Sequence, residues 1–198
     1  MLVATLDCET LSLDYNAIIF EIAVFVKDFE TGKLRELAIR PNIFEQIYYG
    51  RTSSVETLNF HKKIRGEKLF SDLQTSKVYQ TLSIAECHKK MSEFLKDCDS
   101  MWVNGLSFDP VILKTLFASV GLDLPWPYYK EGDIRTINNY VLPTKTKNKP
   151  KSHDALSDAV WNMSVLSEFF EHKNKVAALL ADEFVAQKLV TSLIPSTN

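Results

Sequence analysis

The sequence predicts an α/β protein: a mixed β-sheet, antiparallel over its first three strands and extended by parallel additions, flanked by helices. Strand-like segments occupy the first forty or so residues, and helical stripes alternate with short apolar strands afterwards. No internal repeat and no linker divides the chain, so one domain is expected over residues 1–198.

The opening segment alternates, with Leu2, Ala4, Leu6 and Cys8 on one side and Val3, Thr5, Asp7 and Glu9 on the other, which is the period of a strand. A second strand runs from about Ile18 to Phe29 and ends at Thr31-Gly32, a hairpin signal that leads into a third from Arg35 to Arg40. Ser83 and Glu86 form a capping box, and Ile84, Cys87, Met91, Phe94, Leu95 and Cys98 follow at helical spacing. Met101 to Val103 reads as a short strand. Pro110 suits a first helical position, Ile112, Leu113, Leu116, Phe117 and Val120 make a stripe, and Gly121 sits where that helix stops. The polar stretch from Thr144 to Ser152 predicts an exposed loop, Ala155 to Phe170 a helix, and Val176 to Leu193 a separate amphipathic C-terminal helix.

Composition narrows the function. A net charge of −2 over 198 residues excludes a chain coated with basic residues, so any contact with nucleic acid must be local. The three cysteines, Cys8, Cys87 and Cys98, make neither a disulfide framework nor a metal knuckle, which fits a reducing, cytoplasmic compartment. Acidic residues arrive at position 7 and no apolar run approaches the roughly 20 residues that span a bilayer, so neither a leader nor a membrane is expected.

Three acidic clusters carry chemistry. Asp7 and Glu9 share one strand face with Cα atoms about 6.7 Å apart, a repulsive pair that a cation would offset; a strand end reaching solvent explains the same pattern. Asp109 precedes Pro110 at a helix start, where a carboxylate also serves as an N-cap. In SHDALSDA, Asp158 heads the stripe Trp161, Val165 and Phe169, beside a face made of Leu156, Ala159, Val160, Met163, Ser167 and Phe170; packing explains a carboxylate there poorly. His153 fits an ordinary loop histidine and, paired with Asp158, a general base.

In this order, LDCET, NGLSFD and HDALSD resemble the three exonuclease motifs of the DEDDh branch of DnaQ-like, ribonuclease H-fold nucleases, over residues 5 to about 165. Glu21 in IIFEIA, ETLNFHKK around Phe60 and HDALSDA look most like the small branch that holds the T-even phage exonuclease and the mycobacterial polyadenylate-specific exoribonuclease. The resemblance implies a ribonuclease H-like sheet and a 3′ to 5′ exonuclease. It implies that Asp7, Glu9, Asp109 and Asp158 hold two divalent cations, Mg²⁺ or Mn²⁺, that His153 takes a proton from water, and that nucleoside 5′-monophosphates are released.

It also implies that the backbone at Thr10 and the apolar side chain of Leu11 hold the terminal nucleotide; Asn104, Ser107 and Phe108 are candidates to line the same pocket, and Phe108 equally fits the core. Lys145, Lys147, Lys149 and Lys151 fit both a phosphate-attracting patch and a solvated loop. The partner expected is a single-stranded 3′ end, with DNA and RNA both open and a homo-oligomer compatible. A catalytically silent nucleic-acid-binding module on the same fold and a ribonuclease H-type endonuclease are the alternatives. Against the first stand four carboxylates and a histidine, all present.

Overall fold

The computed structural model describes residues 1–66, 80–142 and 153–193, so the lysine-rich loop lies outside the described residues. Its strands are β1 (Leu2–Thr10), β2 (Ile19–Asp28), β3 (Leu34–Pro41), β4 (Gln80–Leu82), β5 (Ser100–Val103) and β6 (Glu131–Asp133). They form one sheet in the order β4-β3-β2-β1-β5-β6. β1 to β3 are antiparallel neighbours, whereas β4 joins β3, β5 joins β1 and β6 joins β5 in parallel. This is the mixed sheet that the sequence predicts, antiparallel over its first three strands and extended by parallel additions. The turn between β2 and β3 closes on Asp28, whose carboxylate accepts from Thr31 Oγ1 at 2.6 Å and from the Glu30 N–H at 2.9 Å.

The helices are α1 (Ile43–Tyr48), α2 (Val55–Arg65), α3 (Ile84–Leu95), α4 (Asp109–Ala118), α5 (Ile134–Tyr140) and α6 (Ala155–Leu193). α3 starts at the capping box its sequence spells, with the Ser83 side chain and the Glu86 carboxylate each satisfying the other's backbone N–H. α4 starts one residue earlier than the proline alone indicates, at Asp109. α6 runs unbroken through 39 residues where a helix and a separate C-terminal helix are expected. The polar run Glu171 to Lys175 contains neither Gly nor Pro, and nothing in it stops a helix that is already propagating.

The alternation of β1 divides the core. Ala4, Leu6 and Cys8 join Ile22 and Val24 of β2 under α3 and α4, whose Met91, Leu113 and Phe117 are fully buried. Each such apolar side chain contributes about 1.5–3 kcal/mol on burial. The opposite face, which carries Val3, packs under α5 and α6 through Ile134, Ile137, Met163, Val165 and Leu166. There Thr5 donates its hydroxyl to the Ala159 carbonyl at 2.7 Å, fixing the start of α6 over the end of β1. Val160, expected on the inner face of α6, is exposed; Asn162, Val165 and Leu166 take the inner positions. No helix among the described residues is long and apolar enough to cross a membrane.

Ala23, Ala155 and Ala159 meet where α6 crosses β2, and Ala23 pairs with Asp7 in the β1–β2 register. Small side chains allow the helix to lie low on the sheet, so Asp158 reaches the strand carboxylates. Ala159→Leu should lower stability by about 1–3 kcal/mol through overpacking. A thermal melt checks this, and an unchanged melting temperature would show that close approach of α6 is not required.

Candidate active site

The last turns of β1 bring Asp7 and Glu9 to the face that α6 covers, and the first turn of α6 brings Asp158 down onto it. All are buried: Asp7 is 9%, Glu9 7%, Asp109 5% and Asp158 3% exposed. The start of α6 is held by Asp154, whose carboxylate accepts from the Ser157 N–H at 3.0 Å. Glu9, His153 and Asp158 form the tightest group, with one donor atom from each lying within 4.8 Å of the other two.

Asp109 completes the set from the far side of β1. It stands at the first position of α4 without capping it; its Oδ1 instead accepts from the Cys8 N–H at 3.3 Å. The N-cap alternative is therefore overturned, because the side chain is drawn back to the strand. Asp7 and Asp109 lie outside the tight group of three, yet both bear on Cys8. Burial pushes the Cys8 thiol well up, and the charges of Asp109, Asp7 and Glu9 push it further. Buried carboxylates at this density are hard oxygen donors of the kind that divalent cations take.

α2 supplies a second layer. His61 lies against Glu9, its Nε2 3.9 Å from Glu9 Oε2, and donates from Nε2 to the Thr10 carbonyl at 2.9 Å, the tautomer a carbonyl acceptor requires. Burial holds the His61 pKa below its ordinary value, against the raising effect of that bond. One turn on, Arg65 pairs bidentately with Glu21 at 2.7 and 2.8 Å, and Arg40 reaches Glu21 Oε1 at 2.8 Å. Burial alone would lower the Arg65 pKa, but hydrogen bonds and charge from Glu21, with Glu9 behind, raise it. Arg65 also donates to the His153 carbonyl and stands 3.9 Å from Glu9. His153 has φ of 44°, a left-handed conformation that costs a residue with a β-carbon about 1–2 kcal/mol. The Phe60 ring meets the His153 ring edge-on, with centroids 4.9 Å apart.

Beside Glu9 opens a cleft of about 380 Å³, walled by Thr10, Leu13, Thr57, Phe60, His61 and Phe108. Thr10 and Phe108 both line this cleft, and Phe108 also packs against the main core. Leu11 does not reach the cleft. It is 6% exposed, in a small cluster with Ile18 and Phe20, because backbone bonds to Ile18 and Ser54 turn it inward beyond the strand end. Leu13, 78% exposed, takes the wall position instead. Asn104 and Ser107 are not among the lining residues. The Asn104 carbonyl is held by Arg135 at 2.8 Å, and Gly105 has φ of 114°, a conformation that glycine adopts and residues with a β-carbon rarely do.

A family model described as the Rv2179c-like 3′-5′ exoribonuclease domain matches residues 3–170. The chain belongs to that family. Among solved structures it is similar to cell-death related nuclease 4 (CRN-4), at 14% identity and a TM-score of 0.46, over 86% of this chain and 64% of that one. No curated protein sequence matches it.

The exoribonuclease match takes in Asp7, Glu9, Asp109, His153, Asp158 and the whole of α2, and ends where α6 leaves the sheet. Phe170 still packs on Phe29 at 5.0 Å between ring centroids, whereas residues 171 to 179 are all exposed. Sequence reasoning missed the roles of Leu13, His61, Arg65 and Arg40. Their signal is weak: ETLNFHKK contains His61 without marking it, and Arg65 lies just beyond that segment, one turn on along α2.

Asp109→Asn keeps an acceptor for the Cys8 N–H and removes one of four clustered charges, so its metal-free melting temperature should equal or exceed that of the unsubstituted protein. Asp109→Ala leaves that buried N–H unsatisfied and should lose about 1–3 kcal/mol. Urea unfolding in chelator compares them; an Asn variant as unstable as the Ala variant would show that the charge itself supports the fold.

Proposed function

We propose that the protein is a 3′ to 5′ exonuclease that hydrolyses single-stranded nucleic acid, RNA foremost, from its 3′ end and releases nucleoside 5′-monophosphates. The observation that carries this reading is the convergence of Asp7, Glu9, Asp109, Asp158 and His153 beside an apolar cleft, in a chain of an exoribonuclease family. The RNA preference follows the family's description. The three buried, unpaired cysteines fit a cytoplasmic location.

Asp7, Glu9, Asp109 and Asp158 would hold two divalent cations, Mg²⁺ or Mn²⁺. Bound there, such ions supply charge stabilisation to the attacking and leaving oxygens of a phosphoryl displacement. The protein's own groups do the rest. Phe60 and Phe108 offer aromatic surface and Leu13 aliphatic surface to a base that enters by its end, which needs an unpaired strand. His153, within reach of Glu9 and Asp158, takes the proton from the attacking water as the new phosphorus–oxygen bond forms. The 3′ oxygen of the preceding nucleotide leaves, and the shortened strand can advance into the cleft.

Matched RNA and DNA strands labelled at the 5′ end, incubated with Mg²⁺ or Mn²⁺, should give a ladder that shortens one nucleotide at a time, with blunt duplexes much slower. Immediate loss of the 5′ label as a mononucleotide would reverse the polarity, cleavage of a closed circle would indicate an endonuclease, and strand binding without products would indicate the silent module.

Asp158→Asn should abolish turnover at saturating Mg²⁺ while the far-ultraviolet circular dichroism spectrum is kept. His153→Ala should slow turnover by roughly 10² to 10⁴-fold with metal affinity retained. Loss of metal affinity with an intact rate at saturating metal would make His153 a ligand and reject its role as base.

A further inference from the structure

The left-handed backbone of His153 is held by contacts that no step of the proposed reaction uses. The strongest comes from α2: Arg65 donates to the His153 carbonyl from the same nitrogen that bonds Glu21 Oε2 at 2.8 Å, while its other terminal nitrogen bonds Glu21 Oε1 at 2.7 Å. Arg40, at 2.8 Å from Glu21 Oε1, fixes that carboxylate from β3. Phe60, on the same helix as Arg65, limits the imidazole from the side. We infer that Arg65 is a positioning residue for the reaction: gripped by Glu21, it holds the His153 main chain so that the imidazole faces Glu9 and Asp158. This rests on the proposed role of His153 as base.

A planar fork suits this task. It can bond a carboxylate with two parallel N–H groups and still direct a further N–H at a carbonyl, which a lysine ammonium cannot do in the same fixed geometry. The alternative, that Arg65 grips a substrate phosphate, fits less well, because both terminal nitrogens are committed to Glu21 and the side chain is largely buried. Glu21 also serves electrostatically. Arg65 lies 3.9 Å from Glu9, and pairing it with a carboxylate keeps its charge from competing with a cation there.

A double-substitution cycle on the full chain tests this. Arg65→Lys should lower kcat about 10- to 100-fold, with KM for a short single strand and Mn²⁺ affinity by calorimetry each changed less than about twofold. In a His153→Ala background the same substitution should cost less than about twofold, since a group that acts only through His153 has nothing left to position. Should Arg65→Lys melt below the assay temperature, Arg65→Gln, which leaves Glu21 paired with Arg40, is carried through the same cycle. Equal losses in both backgrounds, or a loss confined to KM or metal affinity, would overturn the inference while the proposed function stands. A His153→Ala enzyme as fast as the unsubstituted one would overturn both.

Discussion

Four carboxylates buried around the end of one central strand repel one another, and much of the surrounding structure is arranged to hold them there. Asp7 and Glu9 are fixed by pairing with Ala23 and Glu21 of β2, just beyond Leu6, where the pairing of β1 with β5 ends. Asp158 is carried by a helix that rests low on the sheet over alanines, and Asp109 is tied back to the Cys8 N–H. None of these carboxylates can drift far to relieve the repulsion, and a rigid cluster of anions is already organised for a cation.

Much of this was legible because period and chemistry coincide. The alternation of Leu2 to Glu9, the Thr31-Gly32 turn and the Ser83/Glu86 capping box each specify local geometry that the fold keeps. The candidate carboxylates were legible through the order of LDCET, NGLSFD and HDALSD, since singly Asp7 and Glu9 also fit a strand end reaching solvent and Asp109 an N-cap. Elsewhere the signal failed for identifiable reasons. β4 and β6 have three residues each, too few to show a period, and parallel pairing joins segments far apart in the chain. Leu11 was misplaced because alternation stops at Thr10, after which backbone bonds, not the pleat, aim the side chain. Val160 was misplaced because a helical wheel identifies a stripe but not its exact rotation on the sheet.

The second layer was the least visible. Glu21, Arg40 and Arg65 come from two strands and a helix, and nothing in their spacing announces that they meet. Two guanidiniums share one carboxylate in a largely buried place, an arrangement whose desolvation cost competes with its Coulombic gain. Its value to this protein therefore lies less in stability than in direction. It ties α2 to the turn that carries His153 and so joins the cleft wall to the carboxylates.

The pleat of β1 has one more consequence. Asp7 and Glu9 alternate with Leu6 and Cys8, so a slip of β1 by a single residue against β2 would turn both acids into the apolar core and present the leucine and the cysteine to α6. Such a misaligned sheet could keep most of its hydrogen bonds and its secondary structure, and many spectroscopic probes would pass it as folded. Catalysis would not. Under the proposed exonuclease function, turnover would report strand alignment, and specific activity per folded chain would count the fraction of molecules threaded in the correct frame.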